Sequence, residues 1–515
     1  MAATDSQKYR FSEAPLWELQ RAYYEQLGLK AWNNDQVPQY ITSNPMIGAA
    51  YAEMIFGFLQ DRAAQGETEE AVTLVELGAG AGRLAYHVLH ELSLLQTYAE
   101  IALPPFRYVM TDLALKNVEG WRRHPALATF IEQGVLDVAT FDAEHDTELK
   151  LLVSGETIAP GQLRQPLLVV ANYFFDAIPQ ELIYIGDGLV YDCDVAVGLT
   201  DPEPGLTLSE QLKRTTLTYE HRRALRYEED QYPYRDVIAL YQRELEDSHV
   251  LFPEIGLRCL ERLGGLSRAG FAMITADKGD HRLDNWRFAE PPQLVHHGSI
   301  SLTANYHAIQ HVFESRGAEA LFTDHHYNNI NVACILVLES PKRYVNTRLA
   351  YRKSVARFGP DDFFSLKLLA DREIETLRLQ QILAFWRLGG YDAEWFIQTA
   401  RRISSLLADA NDEEKLDLRA GIFRMWTSFY IMPQRYDLAL DAGLILFEMD
   451  MYADAKTLLE ASAQADDDPV STVYFCLAIC SLELGQEEEA RTYLQRALEL
   501  EPDHEEALEL LAALG

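Results

Sequence analysis

The sequence predicts an α/β domain of the Rossmann-like kind followed by an all-α helical solenoid, and three observations predict it. From about residue 70 to 340, short β-rich runs (Thr73–Leu77, Tyr108–Thr111, Leu167–Ala171, Ala272–Thr275) alternate with helical patterns, as the strands of a mostly parallel sheet do. The first of these runs enters a glycine-rich turn that opens an amphipathic helix. After Phe358–Gly359–Pro360 the strand signals nearly stop, and helix follows helix from Asp361 to Leu514. A chain of 515 residues exceeds what one core supports. The expected division is an N-terminal helical segment over 1–70, an α/β domain over 71–345 and a helical domain over 361–515.

The opening stretch, MAATDSQKYRF, lacks a basic region followed by an apolar run, and no window approaches the roughly 18 apolar residues of a membrane span. Forty-five basic against 79 acidic side chains give a formal net charge of −34. That balance argues against sequence-independent grip on nucleic acid, which needs clustered Lys and Arg, and against an anionic membrane surface. A basic partner is the better expectation. Five cysteines (Cys193, Cys259, Cys334, Cys476, Cys480) form no CxxC pair, so reduced thiols and a cytoplasmic location are expected. Cys476 and Cys480 share a helix face and read as core.

The turn Val72–Leu84 carries Glu76, Gly78, Ala79, Gly80 and Gly82 in sequence, with Arg83 opening the helix. Alternate glycines let the backbone approach a nucleotide-like ligand at the strand end. The third glycine comes one residue too early for the dinucleotide fingerprint GxGxxG. With Glu76 two places before Gly78, the pattern instead resembles motif I of the class I methyltransferases, which bind S-adenosylmethionine (SAM). That resemblance implies a second strand ending in an acidic residue for the ribose hydroxyls, supplied by Asp112, followed by Leu113. It also implies a carboxylate near the adenine after the third strand, supplied by Asp137 with Val138 beside it, or by Asp142.

The fourth strand and its exit read Pro166–Glu181, with Asn172-Tyr-Phe-Phe-Asp176-Ala-Ile-Pro179 at their centre. Upstream lies Tyr40-Ile-Thr42-Ser43-Asn-Pro45, and downstream Leu302-Thr303-Ala304. In order, these blocks resemble the MidA family of methyltransferases, which includes the mitochondrial complex I assembly factor that methylates an arginine of a complex I subunit. The resemblance covers roughly residues 35–340. It implies a SAM-dependent protein methyltransferase, with Thr42, Ser43 and Gly48 on the cofactor side.

Two departures bear on the substrate. The family pattern Ala-Asp-Tyr-Gly is here Ala276-Asp277-Lys278-Gly279, and the arginine-rich segment that often follows is replaced by Asp280–Pro292. Methyl transfer to a guanidinium needs the nitrogen aligned with the methyl group and carboxylates to orient the acceptor. Asn172, Asp176 and Glu181 are the candidate catalytic residues, at the carboxyl end of the fourth strand where ligands collect. Asp176 is the expected acceptor-side carboxylate, with a helix N-cap as its alternative role. Asn172 either bonds the acceptor nitrogen or holds the loop. The region 186–250, rich in Tyr, Arg and Glu, is the expected acceptor-side insertion. The pairs His296–His297 and His325–His326 match no metal motif, and no metal is expected.

In the helical tail, aligning Gly443 with Ala478, Ala455 with Ala490 and Leu459 with Leu494 gives one offset of 35 residues three times. This resembles the tetratricopeptide repeat, whose period is about 34 residues. In the first copy Ser462 stands where Ala is expected, and the extra residue falls in an acidic turn at Asp466–Asp468. The helices of 361–433 are expected as degenerate repeats, with His504–Leu514 as the terminal cap. The tail is not part of the usual family layout and suggests a dedicated partner or substrate.

Three functions follow as expectations. The first is a protein methyltransferase whose repeats recruit a basic protein or peptide. The second is a methyltransferase acting on a small molecule or a ribosomally made peptide. The third is a non-catalytic scaffold. Across Ser481–Gly515 ten carboxylates face only Arg491 and Arg496, a charge that would attract a basic polypeptide.

Overall fold

A computed structural model describes residues 7–32, 37, 39–432, 436–465 and 470–514. The Asp466–Asp468 turn lies outside the described residues. The chain divides into two units, Met1–Ser365 and Leu366–Gly515.

In the first unit, helices α1 (Pro15–Leu27) and α2 (Pro45–Ala64) precede strand β1 (Val72–Leu77), helix α3 (Arg83–Gln96), and strands β2 (Phe106–Asp112), β3 (Leu136–Thr140) and β4 (Leu167–Asn172). Then come β5 (Glu181–Gly186), β6 (Leu189–Leu199), β7 (Thr215–Arg223), β8 (Ser248–Phe252), β9 (Phe271–Asp277), β10 (Glu319–Leu321), β11 (Asn331–Val337) and helix α4 (Val345–Tyr351). Seven strands form one sheet in the order β10-β11-β9-β4-β1-β2-β3. The run β9-β4-β1-β2-β3 is parallel, and β11 lies antiparallel to both β9 and β10. All six residues of β1 and all seven of β9 are buried, as central strands covered on both faces must be.

Strand order reverses at β1, since β2 follows on one side and β4 on the other. Such a switch point opens a crevice at the carboxyl ends of the strands. The glycine turn after β1 and the Asn172–Pro179 loop after β4 therefore meet there by topology.

Helix α2 is fastened by a buried carboxylate. Asp61 accepts from the backbone N–H of Asn346 (3.0 Å) and Thr347 (2.9 Å), and from the Asn346 amide and Thr347 hydroxyl, both at 2.8 Å. Gly57 lets the backbone of Asn346 approach, for a Cβ there would lie 2.8 Å from its carbonyl. Gly48, expected on the cofactor side, does the same for α3. Its Cβ would sit 2.6 Å from that of His87, so its role is close helix packing.

The region 186–250 belongs to a second, antiparallel sheet ordered β8-β5-β6-β7. A backbone bridge from Tyr9 to Val195 adds the N-terminal segment to it.

The second unit is helical: α5 (Leu379–Leu388), α6 (Ala393–Leu406), α7 (Asp412–Thr427), α8 (Leu438–Glu448), α9 (Tyr452–Ala465), α10 (Ser471–Glu483), α11 (Glu487–Leu500) and α12 (Glu505–Leu514). Small residues sit where helices cross. A Cβ on Gly443 would lie 2.8 Å from Leu459, and one on Gly421 2.5 Å from Trp386. Ala478, Ala490 and Ala497 are wholly buried. Ser462, the departure from the repeat pattern, is buried with its hydroxyl bonded to Asp437, which also caps α8 by accepting from Leu440 N–H (2.9 Å). One apolar cluster runs from Leu379 to Cys480, joining the 379–427 helices to the first repeat pair.

Candidate functional site

At the switch point the chain encloses a cavity of about 240 Å³. Its floor is the glycine turn. Gly78, Gly80 and Gly82 have φ of 62°, 55° and 82°, the left-handed region where a side chain is strained. The turn is pinned from several directions. Gly80 N–H donates to Asp112 Oδ2 (3.1 Å), its carbonyl accepts from Trp121 Nε1 (2.9 Å), and Ala79 N–H donates to the Thr111 carbonyl (2.9 Å). Asp112, at the end of β2, also accepts from Ala114 N–H (2.9 Å). Burial pushes its carboxyl up, and these backbone donors counter that push.

Glu76 is buried beneath the turn and accepts from the Tyr108 hydroxyl (3.0 Å). Burial pushes it up to about 8, against the opposing effect of that bond. Between about pH 4.5 and 8 the native state thus holds a proton that the unfolded chain has released, and stability falls as pH rises through that window. Glu76→Gln removes the cost of ionisation, about 2–5 kcal/mol for a shift of this size. Calorimetry should show the variant melting several degrees higher than the parent at about pH 9 and level with it at about pH 4.

The roof comes from β4 and the chain around it. Asn172 accepts from the Tyr51 hydroxyl (2.6 Å) and donates to the Thr42 carbonyl (3.2 Å), bonds that tie the end of β4 to the Thr42 segment. Thr42 and Ser43 line the cavity with hydroxyls turned to the Gln39 carbonyl (3.3 and 2.7 Å). Tyr173 has φ 47°, a strained conformation for an aromatic residue.

Asp176 follows in a turn, with no helix after it, so the N-cap alternative does not arise. Its backbone N–H donates to Asp277 Oδ2 (3.2 Å), and its own Oδ1 is buried with no hydrogen-bond partner among the described residues. Burial drives both carboxyls above their ordinary range, and the proximity of the two adds to the push on Asp277. The ammonium of Lys278 opposes the rise at Asp176. Two adjacent buried carboxyls cannot both ionise freely, so the pair retains a proton.

The cavity thus gathers Thr42, Ser43, Glu76, Gly78, Ala79, Gly80, Asp112, Leu113, Asn172 and Asp176. It does not gather Gly82, Asp137, Val138 or Glu181. Gly82 serves as the N-cap of α3. Asp137 lies inside β3, accepting from the N–H groups of Val138, Val153 and Ser154 (2.8, 2.9 and 3.1 Å), while Val138 is strand core. The alternative carboxylate, Asp142, does line the cavity, two residues past the strand end. Burial raises it, but the Glu144 N–H and the Arg21 guanidinium, bonded through two nitrogens (3.0 and 2.9 Å), hold it below its ordinary value. Glu181 opens β5 in the second sheet and pairs with Arg10 and Arg226. No residue of 186–250 lines the cavity.

One wall was missed from sequence. Trp17, Gln20, Arg21 and Tyr24 reach the cavity from α1, and Trp32 stacks on Tyr24 (5.8 Å between ring centroids, 25°). Their spacing of i, i+3/i+4, i+7 on one helix face was the available signal. Lys278 also lines the cavity, and Asp277 lies behind Asp176.

A family model described as "Putative S-adenosyl-L-methionine-dependent methyltransferase" matches residues 57–334, and a tetratricopeptide-repeat model matches residues 471–504. Two crystal structures from Burkholderia thailandensis are similar at 18% identity and a TM-score of 0.38. One is an uncharacterized ACR protein and the other a member of the same superfamily bound to S-adenosyl-homocysteine. Each match covers 61% of this chain, and 73% and 74% of theirs. No curated protein shows significant similarity to the chain.

Proposed function

Because the chain belongs to that methyltransferase family, whose cofactor is SAM, we propose that it methylates a protein or peptide, with an arginine side chain as the acceptor and the repeat unit recruiting the substrate. The donor set fits the cofactor. A bare glycine turn admits a close ligand, Asp112 offers carboxylate oxygens at its rim, and Tyr24 and Trp32 supply flat apolar surface. When bound, SAM supplies an electrophilic methyl group on a sulfonium.

The observation that carries the reading is the unpartnered Oδ1 of Asp176 in the same cavity. An anionic oxygen there attracts an N–H group, orients it and takes the proton that the nitrogen gives up as its new N–C bond forms. Asp277 stores a proton next to it. Tyr173 and Phe174, both on the lining, limit the water that reaches this oxygen. The acidic surface of Ser481–Gly515 suits a basic polypeptide.

Lys278 favours a second reading, an uncharged or acidic acceptor, because its ammonium repels a guanidinium. Restoring the family's aromatic with Lys278→Tyr should raise kcat/KM on an arginine peptide about tenfold and lower it on an acidic one. An unchanged ratio removes Lys278 from the acceptor path. The function itself is tested by incubating the full chain with methyl-labelled SAM and either a basic protein fraction or a small-molecule fraction. Mass spectrometry should find one or two added methyl groups on protein. Label confined to small molecules overturns the protein reading.

A further inference from the structure

Among the described residues, one set of three metal-competent side chains comes together, and it lies in the second sheet away from the cavity: Cys193, His221 and His249. Neither of the histidine pairs conspicuous in the sequence contributes to it. Cys193 on β6 stands directly opposite His221 on β7, so the two side chains rise from the same face. His249 reaches the group from β8, where it is paired with Tyr184 of β5. The Tyr184 ring stacks on His221 (4.0 Å, 11°) and lies 4.9 Å from His249, fixing the position of both imidazoles.

Two features distinguish this group from a chance meeting of core and surface residues. The Nε2 atoms of the histidines face each other at 3.0 Å, and one ligand atom from each of the three residues lies within 4.8 Å of the others. In a tetrahedral zinc site, bonds of about 2.0–2.3 Å place ligand atoms about 3.3–3.7 Å apart, so small shifts that part the two nitrogens slightly and draw the sulfur closer complete the set. Moreover, His249 Nδ1 faces the Ala289 carbonyl at 3.1 Å. A proton held there leaves the Nε2 lone pair directed at the cluster, the outer-shell arrangement usual for metal-bound imidazole.

We propose that Cys193, His221 and His249 form a zinc(II) site, with the fourth position left to water on the exposed His221 side. Two imidazoles and a thiolate suit a borderline-soft divalent ion better than calcium or magnesium, which take oxygen ligands. Binding forms one Zn–S and two Zn–N bonds and releases the Cys193 thiol proton to solvent. The buried thiol would supply the rigid ligand and the exposed histidine the one that closes on the metal. The ion would clip β8 to the paired strands β6 and β7, from which β5 otherwise separates it.

The full chain, freed of metal with a chelator, is titrated with cobalt(II) as a spectroscopic stand-in and then with zinc(II) against a chromophoric competitor. One equivalent should bind with a thiolate-to-cobalt charge-transfer band that zinc abolishes. Cys193→Ser should remove the band. His221→Asn, an exposed change that leaves the core intact, should weaken zinc binding at least about tenfold, and His326→Asn should leave it unchanged. Absence of a thiolate band, or wild-type zinc affinity in His221→Asn, overturns the proposal.

Discussion

A Gly80→Val variant is expected to fold and yet lose about 100-fold in SAM affinity, close to 2.7 kcal/mol. Two costs add at this position. Residue 80 has φ 55°, where an L side chain costs about 1–2 kcal/mol and a β-branched one more. A Cβ there would also lie 2.9 Å from Cζ2 of Trp32, inside van der Waals contact. The turn cannot relax without breaking its bonds to Asp112 and Trp121. Either the backbone shifts and the Asp112 oxygens lose their orientation, or Trp32 is displaced from Tyr24 and the aromatic wall opens. Isothermal titration calorimetry against SAM, with circular dichroism to verify folding, reads the result. An affinity within threefold of wild type would show that the turn does not form the cofactor floor.

Asp176→Asn has the second large effect, and it falls on the other half of the reaction. Asparagine preserves shape and keeps an oxygen in the cavity but cannot take up a proton. A positioned base is worth about 10²–10⁴-fold in rate, so kcat should fall by that order while SAM affinity stays within about threefold. The pH profile supplies an independent readout. Burial and the Asp277 neighbour keep the parent's pair partly protonated near neutrality, so its activity should rise as pH climbs and the pair ionises. In Asp176→Asn the rise should vanish. Equal losses in binding and turnover would mark the residue as structural.

How far the site could be read in advance depended on how local its chemistry is. Gly78, Gly80 and Asp112 were legible because turn conformation and strand-end position are written in a few adjacent residues. Asp137 and Asp142 show the limit of that reading. Both follow a predicted strand, but only the end of β3 at Thr140 decides which one emerges at the crevice. Glu181 was drawn to the site by nearness in sequence, yet the chain leaves the main sheet after Pro179 and places that carboxylate in a separate ion-pair cluster. Asp277 was visible as part of a motif, but its meeting with Asp176 requires the pairing of β9 with β4. In the repeats the small residues were legible by period, whereas the Ser462–Asp437 bond that rationalises the departure was not.

The α1 wall has a consequence for how the molecule is made. Its contacts reach far along the chain: Arg21 to Asp142 across 121 residues, Gln20 to the Ala177 carbonyl across 157, and Tyr24 to Ser299 across 275. At ordinary ribosomal speeds of about 5–20 residues per second, Tyr24 is synthesised about 15–55 s before Ser299. Through much of that interval the α1 face that carries Trp17 and Tyr24 lacks its distant partners, the kind of exposure that chaperones hold and aggregation exploits. The cavity therefore cannot close until Ser299 has been made, and the soluble yield of the protein should depend on elongation rate and chaperone supply more than its finished stability would suggest.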